Sequence, residues 1–405
     1  MEWWQIALGA IVGLIALMIL IIIHEIGHAW AARRNGVKVE EFGIGFPPRA
    51  KILGKYKGIL VTLNWLPLGG FCKMKGDDDF ASLKGKELKD RKKKSRDGNS
   101  FDSASFWVKT KILFAGVFMN FLAACVIMTI LAWVGLPKVF PNQFAIESDN
   151  RGQEGVVAIA GVIEGSPAEE IGLQEEDEIL SLSRADDVES DATTITEAYQ
   201  VSRFTRQHAG QATAVEISRD GEITTYFVVL NDEESAQEFG FLGVQTRQAQ
   251  SPTIRATWSA PIIGVANTSQ FIWHTITGIG GIFGDLFGGL WGLIAGTSGA
   301  GDRISAVGDS VAGPVGIIGV IFPAALAAGA IEFLFLTAVI SLTLTVMNIL
   351  PIPGLDGGRW YLIALFKLFR KKLTKEIEES VVGVGMLVLF ALIILITVSD
   401  VMKLW

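Results

Sequence analysis

The feature that most constrains this chain is a pair of histidines, His24 and His28, at the end of a long apolar segment. Residues four apart on a helix share one face, so the imidazoles have zinc-ligand spacing, and Glu25 adds a carboxylate beside them. The preceding 18 residues, Ile6 to Ile23, carry no charge and would span about 27 Å as a helix, enough to cross a bilayer. The alternative is a pair of interfacial histidines that end a membrane helix. Only four histidines occur in the chain and two form this motif, so we favour metal binding.

Composition indicates a polytopic membrane protein. Of the 405 residues, 50% are hydrophobic and only 19% are charged, and the mean hydropathy is +0.41. The charges are segregated into basic stretches at 84–111 and 359–375 and an acidic stretch at 147–238. Basic segments next to membrane spans favour the cytoplasmic side. The two cysteines, Cys72 and Cys125, indicate neither a disulfide framework nor a zinc site.

Residues 37–76 are punctuated by glycine and proline and favour short strands, such as Lys57–Trp65. Two interpretations stay open: a plain cytosolic loop, or a small sheet that dips into the membrane beside the metal, where protein or water covers its backbone. The following basic run, Lys84–Arg96, is predicted to be a solvated cytoplasmic linker. It lacks interleaved aromatic residues, which disfavours nucleic acid as a partner. In the second span, Asn120 is the single amide and is predicted to make a helix-to-helix hydrogen bond.

Residues 138–257 have the character of a soluble domain, with alternating strands, turn residues and many acids. Within it, Glu164–Leu173 followed by Glu176–Leu180 resembles the part of a PDZ domain that precedes a short helix and a buried strand. PDZ domains bind an extended peptide, often a free C-terminus, as an added strand. The resemblance therefore implies a peptide or a new C-terminus as partner, although Glu176 stands where a turn glycine is usual.

Residues 258–330 are rich in glycine and contain scattered tryptophans, but no clean 20-residue apolar core. We predict interfacial or re-entrant helices here rather than a span. His274, flanked by Trp273, is predicted to be an interfacial residue and not a metal ligand.

A second motif, Asn348–Gly358, follows a further apolar segment. A catalytic zinc site usually has three protein ligands, so a third ligand is needed beside the two histidines. We predict Asp356 as this ligand. Basic residues after both motifs place them on one side of the membrane, provided that residues 256–330 cross it zero times or twice. Pro351 and Pro353 would stop the helix, and the glycines would allow a tight turn that aims the carboxylate sideways. The alternative is an ordinary helix stop with a surface aspartate.

Together, these features resemble the site-2 protease family of intramembrane zinc metalloproteases, and most closely its bacterial regulator-of-sigma-E protease branch. The residues that carry the resemblance are His24–His28, Ala115–Gly116, Asn120 and Asn348–Gly358. The chain departs from the pattern at Val117, where a proline commonly follows, and in having one PDZ-like module where the best-known branch has two.

The resemblance implies Zn²⁺ as cofactor, an extended substrate strand bound along the β-region, and one role for each matching residue. These are His24, His28 and Asp356 as zinc ligands, Glu25 as general base, and Asn348, Gly43, Gly69 and Gly70 as substrate-binding residues.

The implied activity is cleavage within transmembrane segments of single-span proteins, such as anti-sigma factors or signal-peptide remnants, after another protease has trimmed them. The implied location is the bacterial cytoplasmic membrane, with the PDZ-like domain outside and the active site near the cytoplasmic face. The alternative function is a membrane scaffold with a PDZ-like peptide-binding module and a structural or empty metal site. A zinc transporter is disfavoured, because acids and histidines are not distributed through several spans.

We therefore predict a polytopic α-helical membrane protein with about four transmembrane helices, a small membrane-associated β-region and an inserted PDZ-like α+β domain. The predicted boundaries are 1–36 (first span), 37–111 (β loop and basic linker), 112–137 (second span), 138–257 (PDZ-like domain), 258–330 (interfacial or re-entrant helices), 331–358 (third span), 359–380 (cytoplasmic amphipathic segment) and 381–405 (fourth span).

Overall fold

The structure is a computed structural model that describes residues 2–76, 99–186, 192–297, 299–310 and 312–404. The chain forms two compact units. The first consists of Met1–Ile130 and Pro261–Trp405, and the second consists of Leu131–Ala260, which is inserted between these two segments in sequence. The basic run predicted as a linker, Lys84–Arg96, lies outside the described residues.

The first helix, α1 (Trp3–Arg34), is a continuous 32-residue helix. It contains the whole apolar segment and the histidine motif. The helix ends at Asn35, whose side-chain amide donates to the carbonyl of Ala31 at 2.8 Å, and the chain then turns through Gly36 at φ +78°.

Two long strands, β1 (Val39–Tyr56) and β2 (Ile59–Met74), form a sheet beside α1. They are joined by a tight turn at Lys57 and Gly58, both with positive φ. The strands fold back on themselves, so that Ile44 pairs with both Leu63 and Gly70.

The edge of this sheet lies alongside the apolar part of α1. A Cβ on Gly70 would lie 3.1 Å from Ile21 Cγ2 and 3.2 Å from Glu25 Cγ. Strand β2 thus reaches the depth of the histidine motif, which favours the membrane-associated alternative over the plain loop.

The second helix, α2 (Phe106–Val134), crosses α1 at very short range. A Cβ on Gly27 of α1 would lie 2.4 Å from the carbonyl oxygen of Ala115 on α2. Buried side chains from α1, the sheet and α2, including Ala32, Met74 and Ile112, form one apolar cluster. This packing fixes the face of α1 that carries the two histidines.

The elements of the inserted unit are β3 (Leu136–Pro137), β4 (Val156–Val162), α3 (Pro167–Glu170), β5 (Glu178–Arg184), β6 (Thr193–Thr194), α4 (Ala198–Gln207), β7 (Ala212–Arg219), β8 (Glu222–Val229), α5 (Ala236–Phe239), β9 (Val244–Gln250) and β10 (Thr253–Ile254). The unit is built on an antiparallel sheet with the strand order β8–β7–β5–β4–β9, and β6 pairs with β5. A separate short pair, β3 with β10, lies close to the ends of the unit in sequence. Ile159, Ile179 and Leu182 are fully buried in its core.

Two buried aspartates stabilise turns of this unit by accepting hydrogen bonds. Asp177 accepts hydrogen bonds from Arg219 at 2.6 and 2.7 Å. Asp149 accepts four from the backbone and hydroxyl groups of Thr257 and Ser259, at 2.5 to 3.0 Å. Burial alone would raise the pKa of each carboxyl, but these donors outweigh it and hold both pKa values below the ordinary range.

The remainder of the first unit is helical. It comprises α6 (Ala260–Ala295), α7 (Ala300–Ser310), α8 (Pro314–Gly316), a π-helical stretch (Ile317–Ile321), α9 (Phe322–Ala328), α10 (Ala330–Ile349), α11 (Asp356–Leu368) and α12 (Lys375–Leu404). Phe322 and Pro323 of α9 lie against Gly13 and Gly9 of α1. At the far end of α12, the buried carboxylate of Asp400 accepts from the backbone N–H groups of residues 313 and 316.

Five helices in the described parts of the chain are long and apolar enough to cross a membrane, by length and composition: α1, α2, α6, α10 and α12. The sequence predicted about four transmembrane helices, one fewer than the number of these candidates. The additional candidate, α6, falls in the segment predicted to be interfacial or re-entrant. Its glycines and tryptophans lower the mean hydropathy of its apolar 18-residue window to 1.4, but they do not interrupt the helix over 36 residues.

Candidate metal centre

Three predicted ligands meet where α1 faces the N-terminus of α11. His24 Nε2 lies 3.0 Å from Asp356 Oδ2 and 3.0 Å from His28 Nε2. His28 Nε2 lies 3.1 Å from the same carboxylate oxygen. Both histidines are buried, and 332 residues separate His24 from the aspartate in sequence.

The spacing of these atoms fits a zinc ion. Tetrahedral ligands about 2.0–2.1 Å from zinc are about 3.3 Å apart from one another, and the observed separations are 3.0 to 3.1 Å. Two imidazole nitrogens and one carboxylate oxygen form the donor set of a catalytic zinc site that keeps a position for water. In the described residues, this is the one group of three or more metal-ligating side chains whose ligand atoms converge.

The orientation of His28 is fixed from α2. Its Nδ1 lies 2.8 Å from the backbone carbonyl of Ile112, which can only accept a hydrogen bond. Nδ1 therefore carries the proton, and Nε2 presents its lone pair to the centre.

His24 contacts the same helix through Asn120. Its Nδ1 lies 3.3 Å from Asn120 Nδ2, and Asn120 Oδ1 is buried without a hydrogen-bond partner in the described structure. The predicted helix-to-helix contact of this amide is thus made to a predicted ligand.

A small residue on α2 provides the space for the two rings. A Cβ on Gly116 would lie 2.5 Å from His28 Nε2 and 2.7 Å from His24 Nε2. Ordinary contacts of a Cβ begin at about 3.4 Å, so a larger side chain here would occupy the metal centre.

Asp356 is positioned by the break between α10 and α11. Helix α10 ends at Ile349, and α11 begins at Asp356 itself. A Cβ on Gly357 would lie 2.5 Å from the carbonyl oxygen of Ile349, and one on Gly358 would lie 2.0 Å from that of Ile352. Only glycine permits this close turn, which brings the carboxylate to the histidines.

Glu25 lies beside the triad and is joined to the sheet. Its carboxylate accepts a hydrogen bond from the backbone of Cys72 on β2. It lines a cavity of about 330 Å³ together with all three predicted ligands. The predicted general base and the predicted metal ligands thus line one cavity.

The predicted substrate-binding residues divide into two groups. Asn348, Gly69 and Gly70 line the same cavity, and Asn348 Nδ2 donates to the carbonyl of Leu344 at 3.0 Å. Gly43 is not among the residues that line it. Its position is in the sheet, where a Cβ would lie 2.2 Å from the ring of Phe71.

Arg359 is a cavity residue that the sequence analysis did not single out. Its Nε donates to Glu378 at 2.7 Å, and its guanidinium lies 4.5 Å from the ring centre of Phe101. It stands three residues after Asp356, about one helical turn away, and this spacing is the sequence signal that could have identified it.

The sequence profile of peptidase family M50 matches residues 12–392. The chain belongs to peptidase family M50. Its predicted membership of the site-2 protease family, and its prediction as a peptidase, are thereby confirmed.

Relatives of this M50 chain match over nearly its full length. A protein named "Putative zinc metalloprotease" from Clostridium perfringens is 28% identical over 394 residues, covering 96% of this chain and 98% of its own. A protein of the same printed description from Clostridium acetobutylicum is 29% identical over 399 residues, with 96% of each chain covered. Zinc metalloprotease RasP from Bacillus licheniformis is 24% identical over 457 residues, covering 95% of this chain and 97% of its own.

Proposed function

We propose that this chain is an intramembrane zinc metalloprotease that hydrolyses peptide bonds within transmembrane segments of single-span membrane proteins. The observation that carries the proposal is the convergence of His24, His28 and Asp356 within 4.8 Å of one another, beside Glu25 and at the end of an apolar helix. The relatives named zinc metalloproteases support Zn²⁺ as the cofactor.

His24, His28 and Asp356 are the residues that would hold the ion. When bound, zinc polarises the scissile carbonyl and makes its water acidic enough to lose a proton near neutral pH. Glu25 takes that proton as general base and delivers it to the leaving amine as general acid. The hydrogen bond from the backbone of Cys72 would orient the Glu25 carboxylate for these transfers.

A substrate helix hides its amides in its own hydrogen bonds, so the segment to be cut must first be unwound. Strand β2 carries Gly69 and Gly70 along the cavity wall, and an extended substrate can pair with such an edge as an added strand. Asn348 faces the same cavity, where it would hold the substrate backbone.

The inserted unit would act as a PDZ-like module that recognises a trimmed substrate or limits access by size. In its sheet order, β9 is an end strand, and α4 packs near it because Gln248 accepts from the backbone of Ala198 at 3.1 Å. An edge strand beside a helix is the arrangement to which PDZ domains add a peptide.

The site would lie near the cytoplasmic face of a bacterial inner membrane, with the inserted unit outside. Basic residues at Arg33–Arg34 and in 359–375 follow the two halves of the metal centre, which supports this orientation. The substrates would be single-span proteins trimmed by another protease, such as anti-sigma factors or signal-peptide remnants.

The test is cleavage of a single-span reporter by the purified chain in nanodiscs. Glu25→Gln should lower the cleavage rate by about 10²–10⁴-fold, the contribution of a general acid–base, while stoichiometric zinc is retained. Glu332→Gln, which removes an acid in the first turn of α10, is the matched control and should keep the wild-type rate. Cleavage by Glu25→Gln at the wild-type rate would refute the mechanism and favour a scaffold with a structural metal site.

A further inference from the structure

The tautomer of His24 decides whether it can bind a metal through the atom that faces the centre. That atom is Nε2, which lies 3.0 Å from both Asp356 Oδ2 and His28 Nε2. In a neutral imidazole one nitrogen carries the proton and the other the lone pair. If Nε2 binds the ion, Nδ1 must carry the proton and requires an acceptor.

Asn120 is the side chain in contact with that nitrogen. It is 1% exposed, so water does not compete for the contact, and its Nδ2 lies 3.3 Å from His24 Nδ1. In this orientation the amide presents a donor, which suits the opposite tautomer, with the proton on Nε2. Its acceptor, Oδ1, has no hydrogen-bond partner in the described structure.

One movement provides the missing acceptor. Turning the amide group by 180° exchanges Oδ1 and Nδ2, so that Oδ1 accepts from Nδ1–H and Nε2 is left with its lone pair. The backbone does not need to move, and the carbonyl of Asn120 is held separately by Ser341 Oγ at 2.8 Å. His24 would then match His28, whose Nδ1 donates to the carbonyl of Ile112.

We propose that Asn120 is a positioning residue for zinc, which selects the metal-binding tautomer of His24 through the orientation of its side-chain amide. The proposal rests on the proposed zinc protease function and deepens it. It assigns to α2 the outer hydrogen bond of both histidine ligands, one from a backbone carbonyl and one from an amide. Partners of this kind typically change metal affinity by 10–100-fold when removed.

The experiment measures zinc affinity of the full chain in detergent micelles, by competition with a chromophoric chelator after metal removal. Asn120→Leu keeps the side-chain size but removes the acceptor, and we expect zinc affinity to fall about 10–100-fold. Asn120→Asp keeps an acceptor oxygen and should bind zinc at least as tightly as the wild type. Asn267→Leu is the matched control, because Asn267 is also buried in an apolar helix and donates to the carbonyl of Ile263.

Comparing the zinc affinities of Asn120→Leu and Asn120→Asp distinguishes a positioning role of Asn120 from a packing role. If Asn120 only filled space, leucine would be tolerated better than a buried carboxylate, and the aspartate variant would bind zinc more weakly. Weaker zinc binding by Asn120→Asp than by Asn120→Leu, or unchanged zinc affinity in Asn120→Leu, would overturn the proposal. Should Asn120→Leu not fold, as judged by thermal unfolding, Asn120→Ala removes the same acceptor and carries the same expectation.

Failure of this proposal is distinguishable from failure of the proposed function. A wild-type chain that takes up no stoichiometric zinc would overturn both. A wild-type chain that binds zinc, with Asn120→Leu binding it equally well, would overturn only the role of Asn120.

Discussion

Gly116 gives the sharpest test of how the metal centre is built, because a single added methyl group would enter it. The ideal Cβ position lies 2.5 Å from His28 Nε2 and 2.7 Å from His24 Nε2, about 0.9 and 0.7 Å inside the 3.4 Å at which ordinary contacts begin. Helix α2 cannot retreat freely from α1, because its Ile112 carbonyl is hydrogen-bonded to His28 Nδ1 at 2.8 Å. One or both imidazoles must therefore turn away from the ligand position.

The magnitude follows from the cost of overpacking. An extra methyl group in a close-packed interior costs about 1–3 kcal/mol. Because the displaced groups are the predicted ligands themselves, we expect the free energy of zinc binding to become less favourable by the same amount. At about 1.4 kcal/mol per factor of ten, Gly116→Ala should weaken zinc binding by roughly 5- to 150-fold. Chelator competition on the detergent-solubilised chain measures this directly.

The matched control is Gly13→Ala, whose Cβ would lie 2.3 Å from the ring of Phe322, with no residue of the metal centre among its close neighbours. It introduces an equally severe overlap on α1, so it should lower the unfolding temperature and leave zinc affinity unchanged. A second control, Gly278→Ala, adds the same methyl where no atom lies within 4 Å. If Gly116→Ala binds zinc as tightly as these two controls, the close approach of α2 to the histidines is not real.

Two further predictions concern the inserted unit. Asp177→Asn should destabilise this unit by about 2 kcal/mol at pH 7, the value of hydrogen bonds between charged groups, measured by hydrogen exchange in β5 and β7. The folded pKa of Asp177 lies below its unfolded value, so its contribution to stability is present above about pH 4 and is lost as pH falls through the folded pKa. The Asp177→Asn variant should lack this loss of stability in acid. If the variant still shows it, a different group causes the acid dependence. Deletion of residues 155–245 should allow cleavage of untrimmed single-span substrates in nanodiscs, whereas unchanged selectivity would contradict a gating role.

The candidate ligands were predictable because each lies in a motif whose chemistry is local. The spacing of His24 and His28 places both rings on one helix face whatever surrounds it. Asp356 needed a longer argument, because it is 332 residues from His24 in sequence. The basic residues that follow both motifs predicted that the two lie at a similar depth in the membrane. In the structure the three candidate ligand atoms meet, as the prediction of one common depth for both motifs requires.

The supporting residues were not predictable, because their roles arise where two helices cross. Gly116 was noted only as part of the Ala115–Gly116 motif. It must be small because α1 presents two imidazole rings to it, which the sequence of α2 does not show. Asn120 was expected to bond to another helix, but the sequence does not state which residue it would meet. The sequence did not identify α6 as a continuous apolar helix for a different reason. Glycine lowers its mean hydropathy without ending the helix, and no proline interrupts it after Pro261.

The separation of His24 from Asp356 also has a consequence for the newly synthesised protein. The metal centre is complete only when residue 356 has been made and has turned back to meet the first helix. During most of translation His24 and His28 are present without Asp356, the proposed third ligand, because 332 residues separate His24 from Asp356. The proposed metal centre therefore cannot form until synthesis has reached the C-terminal helices of the chain.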